Sequence, residues 1–498
     1  MKNSLEPNPI ARFLGKPAAD FKKADIIRYI ERNNIGMVHF RYVGGDGRLK
    51  ELNFVLTGRE QLDRILSRGE RVDGSSLFPF VDAASSDLYV VPRFRTAFLD
   101  PFSALPAVHM LCTFCTREGD PLASAAEEVA RRAQASLKMA TGMTLETMGE
   151  LEYYVVSDCQ KLFPVAAQKG YHESGPFHKW GGLREEAMRA IAATGGQIKY
   201  GHSEVGAFRE GGREFEQHEI EFFPVALEDA ADQIVVARWI LRRTAQKYGV
   251  TVSFAPKVAI GQAGTGMHVH TRLVKNGRNM LVENGDLGDR AHKIIGGYLT
   301  LAPSLTAFGN PLPISYLRLV PHQEAPTNVC WGARNRSALV RVPLGWVGTK
   351  NMMREANPRE KSPPFAGDTA PQTVEFRSGD GAAHPHLLMA GLAVAARHGL
   401  QTRGMADVAK RLCVDVNIFK DEHEAVRAKL PTLPTSCAES ADLLLRDRPV
   451  YEKDGVFTPV TLDGIAARLQ SFEDRSMFKP GHGSAVKVRQ IVDECIDC

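Results

Sequence analysis

Apolar positions along the chain alternate between two periods, near 3.6 and near 2, and the changes of period divide it into elements. Residues 24–35 (ADIIRYIERNNI) have helical spacing, and Gly36-Met37-Val38-His39-Phe40 opens a strand. GGDG at 44–47 predicts a turn into LKELNFVL, and therefore a hairpin. EQLDRILSRG is a second helix with Gly69 as its C-cap. RVDGSS and the strand-like SSDLYVVPRF follow. Together these make a compact α+β module over about 20–118, preceded by an arm at 1–19 that has Pro, Gly and Asn but no periodicity.

AVHMLCTFC, from Ala107, opens a second block as a strand, and ASAAEEVARRAQASLKMATG is an amphipathic helix. Strands are predicted around 146–156, a loop-rich region over 157–180 and a helix near 182–194. QIKYGHSEV and EFEQHEIEFFPV are strands joined by a charged, Gly-containing connection. LEDAADQIVVARWILRRTAQKYG is the clearest helix of the chain, ended by Gly249. VTVSFAPKVAI leads into Gly264-Thr-Gly-Met-His268-Val-His270, a glycine-rich turn entering a strand. Residues 285–308 and HPHLLMAGLAVAARHGL are helical, 309–345 and 372–378 hold further strands and loops, and 401–498 is helical with Pro-rich breaks.

Composition narrows the picture. The chain has 498 residues, 44% hydrophobic and 24% charged, which suits a globular protein with a substantial core. A balance of 62 basic against 58 acidic residues gives no charge argument for nucleic acid or a membrane surface. No apolar run approaches the roughly 18 residues that span a bilayer, and no signal-peptide core opens the chain, so the expected compartment is the cytoplasm. Eight cysteines are too sparse for a disulfide framework. Cys112/Cys115 read as core thiols and Cys495/Cys498 as a tail pair. Zinc would require that strand to meet the C-terminus.

The chemistry sits on strands that carry polar residues two apart. His268 and His270 share a face, as do Glu150 and Glu152 in ELEYYVV. Two acids on one strand face repel by about 1 kcal/mol or more outside bulk water, and a cation removes that cost. Glu219-Ile-Glu221 repeats the pattern after Gln217-His218, Glu204 lies upstream, and Glu375-Phe-Arg377 pairs opposite charges. An oxygen-rich set with imidazole suits Mg²⁺ or Mn²⁺. Arg318, Arg334, Arg336 and Arg341 supply guanidinium groups matched to phosphate or carboxylate.

Taken together, VDGSS, ELEYYVV, HSEV with QHEIEF, GTGMHVH, RLVP-x-x-EAP, ARNRSALVRVP and VEFRSGDGAAHPHLLMA resemble the glutamine synthetase family, in family order, from about residue 24 to 400 and more loosely beyond. The resemblance implies an N-terminal β-grasp-like domain and a large catalytic domain (119–498) with a curved antiparallel sheet, an open half-barrel, flanked by helices. It implies two divalent cations per site and ATP as co-substrate. Glu152, Glu204 and Glu219 match the ligands of the cation nearer glutamate, and Glu150, His268 and Glu375 those of the cation nearer the phosphates. Arg318 and Arg377 match binders of the glutamate carboxylate, with Gly264 against its amino-acid part. Arg336 and Arg341 match groups near the transferred phosphate and the nucleotide, and His270 a nucleotide-side histidine. Asp73, Glu204 and Glu324 match residues that bind and deprotonate ammonium. Glutamate, ammonium and ATP are then the partners, and a ring-shaped homo-oligomer, a dodecamer, has active sites shared between subunits because VDGSS reaches into a neighbour.

Several positions depart from the family pattern. Ala263 stands for the usual Asn, Arg272 for Ser, Lys199 for a nucleotide-side Glu, and Thr373 for a basic residue. Residues 205–215 add what reads as a longer loop, and the tail beyond 401 lacks a match to the family's adenylylation segment. Three functions remain open: glutamine formation through a γ-glutamyl phosphate; a γ-glutamyl-amine ligase acting on an amine such as a polyamine, methylamine or ethanolamine; and a catalytically silent homologue. Asp73 favours ammonium.

Overall fold

The computed structural model describes residues 5–164, 166–321, 325–345, 350–363, 371–475, 477 and 485–498. Two sheets organise it. The first runs Leu49–Val55, Met37–Val43, Ala107–Cys115, Asp87–Pro92, Glu70–Asp73, with Phe98–Leu99 at the side of Ala107–Cys115. The expected hairpin is present, with Met37 opposite Val55 and Val43 opposite Leu49. Helices Lys23–Arg32 and Arg59–Arg68 cover this sheet, burying Ile26, Ile30, Leu62 and Ile65 with Phe40, Val90 and Phe114. Gly69 closes the second helix at φ 70°, a conformation that suits glycine.

Two sequence readings change here. The strand Ala107–Cys115 does not open the second block: it pairs parallel with Met37–Val43 in the middle of the first sheet. Its near-continuous burial is that of a central strand, covered on both faces. Part of the segment read as an arm is packed, since Pro9–Leu14 is helical and buries Ile10 in the first core. Asn8 caps it by accepting from the Ile10 and Ala11 amides.

Among the described residues the second sheet has ten strands, in the order Trp331–Ala333, Val340–Val342, Val374–Phe376, Met267–Lys275, Thr144–Asp158, Arg213–Phe222, Ile198–Glu210, with short strands along its sides. Its long central pairings are antiparallel, and the ends do not meet, so it forms the open half-barrel with helices against one face. Leu227–Tyr248, Pro385–Gln401, Asp289–Gly309 and Ala126–Thr141 bury that face, where Leu151, Tyr153, Ile220, Met267, Val269 and Phe376 point. The intervening residues point into the concave side.

The region 205–215, read as an added loop, is strand. Ile198–Glu210 and Arg213–Phe222 form a hairpin closed by Gly211 and Gly212, both at positive φ, and its second strand stays paired with Thr144–Asp158 as far as Arg213 opposite Asp158. Alternation drives it. Phe208 stacks on Phe215 with ring centroids 4.5 Å apart, and both pack on Tyr154 with Val492 of the last helix. The charged residues between them hid this apolar stripe. Cys495 and Cys498 pack at the edge of the same cluster, whereas Cys112 lies in the first core.

Arg93 joins the two units. Its guanidinium meets Glu228 at 2.5 Å and Asp232 at 2.8 Å on the longest helix, and Asp232 also holds His386 at 3.0 Å. Nearby, fully buried His109 accepts from Arg41 Nε through Nδ1 at 3.1 Å and turns Nε2 to Asp100 at 3.2 Å. Burial, with Arg41 and His39 alongside, lowers the His109 pKa to about 4.

Truncating Phe208 to Ala should cost about 3 kcal/mol in denaturant unfolding, as for a buried aromatic; a cost near zero would mean the segment is a loop after all. Stability should also fall as pH drops from 6.5 to 4. In that window an unfolded histidine binds a proton and folded His109 does not, a difference of about 3 kcal/mol in full. His109→Gln should flatten that part of the pH–stability curve.

Candidate active site

Strand register builds the site. His268 lies opposite Glu150, and His270 opposite Glu375. Glu150 lies opposite Glu221, Glu152 opposite Glu219, and Glu219 opposite His202. Because side chains alternate, these registers put every one of them on the concave face. Glu150, Glu152, Glu219, Glu221 and Glu375 are all buried.

Glu204 reaches the cluster by a different device. Between Ser203 and Ala207 the strand carries extra residues that its partner does not match, a bulge. Gly206 sits in it, and a Cβ there would meet the Tyr154 hydroxyl at 2.0 Å and Gln217 Oε1 at 2.4 Å. The bulge sets Glu204 beside His202, whose ring nitrogens lie 3.9 Å from Glu204 and 3.3 Å from Glu219.

Among the described residues the cavity holds three groups of ligand atoms lying within 4.8 Å of one another: Glu150–His270–Glu375, His202–Glu204–Glu219 and Glu150–Glu219–Glu221. The donor set fits a hard divalent cation, being mainly carboxylate oxygen with imidazole. So does its electrostatic state. Burial, together with Glu150, Glu152, Glu204 and Glu221, pushes the Glu219 pKa well above the usual carboxylate range. Such an acid needs a proton or a cation.

The histidines divide differently from a simple pairing. His268 Nδ1 lies 2.9 Å from Glu150 Oε2, and its Nε2 lies 3.3 Å from Arg318 Nη2. His270 Nε2 lies 2.8 Å from Glu150 Oε1, and its Nδ1 is 2.8 Å from Thr373 Oγ1. Both rings therefore reach Glu150, and both stand near Glu375, His268 Nδ1 at 3.7 Å and His270 Nε2 at 4.0 Å. Glu375 is held by Arg341 and Arg377 at 2.9 Å each. Burial and Glu150 raise its pKa, yet Arg377, His270 and His268 outweigh them and the net shift is downward.

Arg318 is buried under the glycine turn, donating to the Ser378 carbonyl at 2.8 Å. Gly264 permits this close approach, because a Cβ there would stand 2.6 Å from Arg318 Cγ. Gly266 is pinned likewise: its amide donates to Glu152 Oε2 at 2.6 Å. Arg336 is exposed, and its carbonyl accepts from Arg377 Nη1. Asp73 is exposed at the end of Glu70–Asp73 in the first sheet, and its carboxylate accepts from Ser75 and Ser76, whose hydroxyls hold its pKa down. Glu324 lies outside the described residues.

The structure adds groups that the motifs did not assign. Gln217 donates from Nε2 to Glu152 Oε2 and to the Gly264 carbonyl, at 2.9 Å each, while its Oε1 accepts from the Gly206 amide. Thr373 orients His270. Tyr200 and Lys199 engage Glu221. The signal for Gln217 and His202 was present, since each precedes a cluster carboxylate by two residues on the same strand face. Of the departures, Arg272 pairs with Glu146 at 2.8 Å, and the Ala263 carbonyl accepts from the Tyr154 hydroxyl.

Residues 125–471 match the family model described as glutamine synthetase, catalytic domain, and residues 34–117 match glutamine synthetase, beta-Grasp domain. The chain belongs to the glutamine synthetase family. Named relatives within it are distant. A glutamine synthetase of Mycolicibacterium smegmatis is 29% identical over 87% of this chain and 91% of that protein. A 3-hydroxylaminophenol mutase of Cupriavidus pinatubonensis is 28% identical over 88% and 93%. Solved structures share the fold at lower identity. Plasmodium falciparum glutamine synthetase superposes with TM-score 0.74 at 18% identity, covering 94% of this chain and 98% of that one. A GmaS/ADP complex gives 0.73 at 16%, covering 94% and 99%. The β-grasp module and the half-barrel are thus the family fold. No helix among the described residues is long and apolar enough to cross a membrane.

Gln217→Leu should weaken divalent-cation binding about 10- to 100-fold, because it frees Glu152 and the glycine turn together. Equilibrium dialysis with Mn²⁺ measures this, and unchanged affinity would remove Gln217 from the site.

Proposed function

We propose that this chain is an ATP-dependent ligase that forms glutamine from glutamate and ammonia through a γ-glutamyl phosphate. The observation that carries this reading is the row of buried carboxylates and imidazoles on one sheet face, ringed by Arg318, Arg341 and Arg377, in a chain of this family. Under it, 20–118 is the β-grasp-like domain, which the helix Pro9–Leu14 joins, and 119–498 the catalytic domain.

Glu152, Glu204 and Glu219 would hold one Mg²⁺ or Mn²⁺, and Glu150, His268 and Glu375 the other. When bound, such cations neutralise charge on a transferring phosphoryl group and orient it. The chain's own residues do the rest. Arg336 and Arg341 meet the phosphates, His270 stands on the nucleotide side, and Arg318, Arg377 and Gly264 receive glutamate. Glutamate's γ-carboxylate is a poor acyl donor because its leaving group would be oxide; phosphorylation supplies a better one. Ammonium becomes a nucleophile only after losing a proton, which a carboxylate of the set Asp73, Glu204 and Glu324 accepts. Closure of the cavity keeps water from the acyl phosphate. Asp73, exposed and outside the carboxylate array of its own chain, suits a residue contributed to a neighbouring subunit of a ring-shaped homo-oligomer, a dodecamer. The compartment is the cytoplasm.

A second reading, a γ-glutamyl-amine ligase, draws on the surroundings of His202. Tyr171 stacks on His172 at 4.2 Å, and His172 lies 4.4 Å from His202. The half-exposed Tyr171 ring, in this stack beside His202, suits an alkylammonium ion. The GmaS/ADP neighbour and the mutase relative show that the fold and family carry more than one name.

The deciding measurement is glutamate- and Mg²⁺-dependent phosphate release from ATP, with ammonium against a panel of amines. Ammonium should give turnover, and Glu152→Ala should abolish it in a folded protein. Turnover with an alkylamine alone would select the second reading, and none with any acceptor the silent homologue.

A further inference from the structure

Lys199 and Tyr200 stand at the start of Ile198–Glu210, beside the carboxylate array. Of the three ligand groups in the cavity, Glu150–Glu219–Glu221 shares Glu150 with one of the others and Glu219 with the other. By its donors alone it would be a third cation site, between the first two. Its third member is already engaged. Lys199 Nζ lies 2.5 Å from Glu221 Oε2, and the Tyr200 hydroxyl donates to Oε1 at 2.5 Å. Lys199 also lies over the Tyr200 ring, 4.8 Å from its centroid. The pair is asymmetric in exposure: the Glu221 side chain is 8% exposed and that of Lys199 37%. An ammonium group has three donors, and the exposed side of Lys199 leaves others free to bond beyond Glu221.

We propose that Lys199, fixed by Glu221 and Tyr200, takes the place of a third cation, so that the cavity binds two divalent ions per chain and turns a built-in ammonium toward the polyphosphate of the nucleotide. This rests on the reading that the cavity takes a nucleotide with divalent cations. The physical consequence is a fixed charge where an exchangeable one would sit. It is singly positive, it is unaffected by chelators, and it keeps Glu221 from competing for the two ions that Glu150 and Glu219 separately hold. Lys199 is therefore a positioning residue for the phosphate chain.

The test counts Mn²⁺ bound per chain in the assembled protein, by the electron paramagnetic resonance of free Mn²⁺, with β,γ-methylene-ATP present. Wild type should bind two. Lys199→Ala should bind a third, and should raise the KM for ATP about tenfold while that for glutamate changes by less than about twofold, as for a group that meets only the phosphates. Lys199→Arg should restore the count of two, since it keeps the charge. Tyr200→Phe, which removes one bond to Glu221 and leaves the ammonium, should also bind two. Three ions on wild type, or two ions with an unchanged KM for ATP on Lys199→Ala, would overturn the proposal alone. A wild type that binds neither Mn²⁺ nor the nucleotide analogue would overturn the functional reading and this proposal with it.

Discussion

Like charges crowded on one buried sheet face are the constraint around which this molecule is built. At an effective dielectric of about 20, two carboxylates 4 Å apart repel by about 4 kcal/mol. Glu150, Glu152, Glu219, Glu221 and Glu375 share one cavity wall, and helices cover the other face of their sheet. The protein answers with what it has. His268 and His270 bracket Glu150, Arg341 and Arg377 bracket Glu375, and Lys199 with Tyr200 takes Glu221. Glu219 has His202 beside it, at 3.3 Å, yet burial with four neighbouring carboxylates holds its pKa well above the carboxylate range.

The rest of the fold keeps that wall rigid. The apolar residues between the acids, Leu151, Ile220, Val269 and Phe376, enter the main core, so a register slip of one residue would turn the acids into hydrocarbon. The glycine turn is locked from three sides, by Arg318 beneath it, by Gln217 on the Gly264 carbonyl and by Glu152 on the Gly266 amide. The added hairpin and the final helix pack on the Tyr154 side of the same wall, and the Tyr154 hydroxyl holds the Ala263 carbonyl. The departures from the family pattern around 205–215 and Ala263 are thereby one packed unit.

Much of the site was legible because period-two polarity is local. Glu150/Glu152, His268/His270, Glu219/Glu221 and Glu375/Arg377 each announce a shared face without any knowledge of the fold. The readings that changed were those needing long-range partners. Ala107–Cys115 has the look of a new start in the chain, yet a parallel partner from residues 37–43 claims it. Residues 205–215 are charged and glycine-bearing, as loops are, but Phe208 and Phe215 meet only once the turn is made. Gln217 and His202 obeyed the same alternation, and their partners lie on other strands.

The sequence alone determined the alternation, the helix ends at Gly69 and Gly249, and the residue types able to hold a divalent cation, because each depends on neighbours within a turn or a strand. Only the tertiary structure decided which acid faces which, that Glu204 enters through a bulge, that both histidines reach Glu150, and that Lys199 is paired with Glu221. Those depend on strand order and register, within the 198–222 hairpin for Glu204 and Lys199 and between strands as far apart as Glu150 and Glu375 for the rest, which follow from burying the apolar face as a whole.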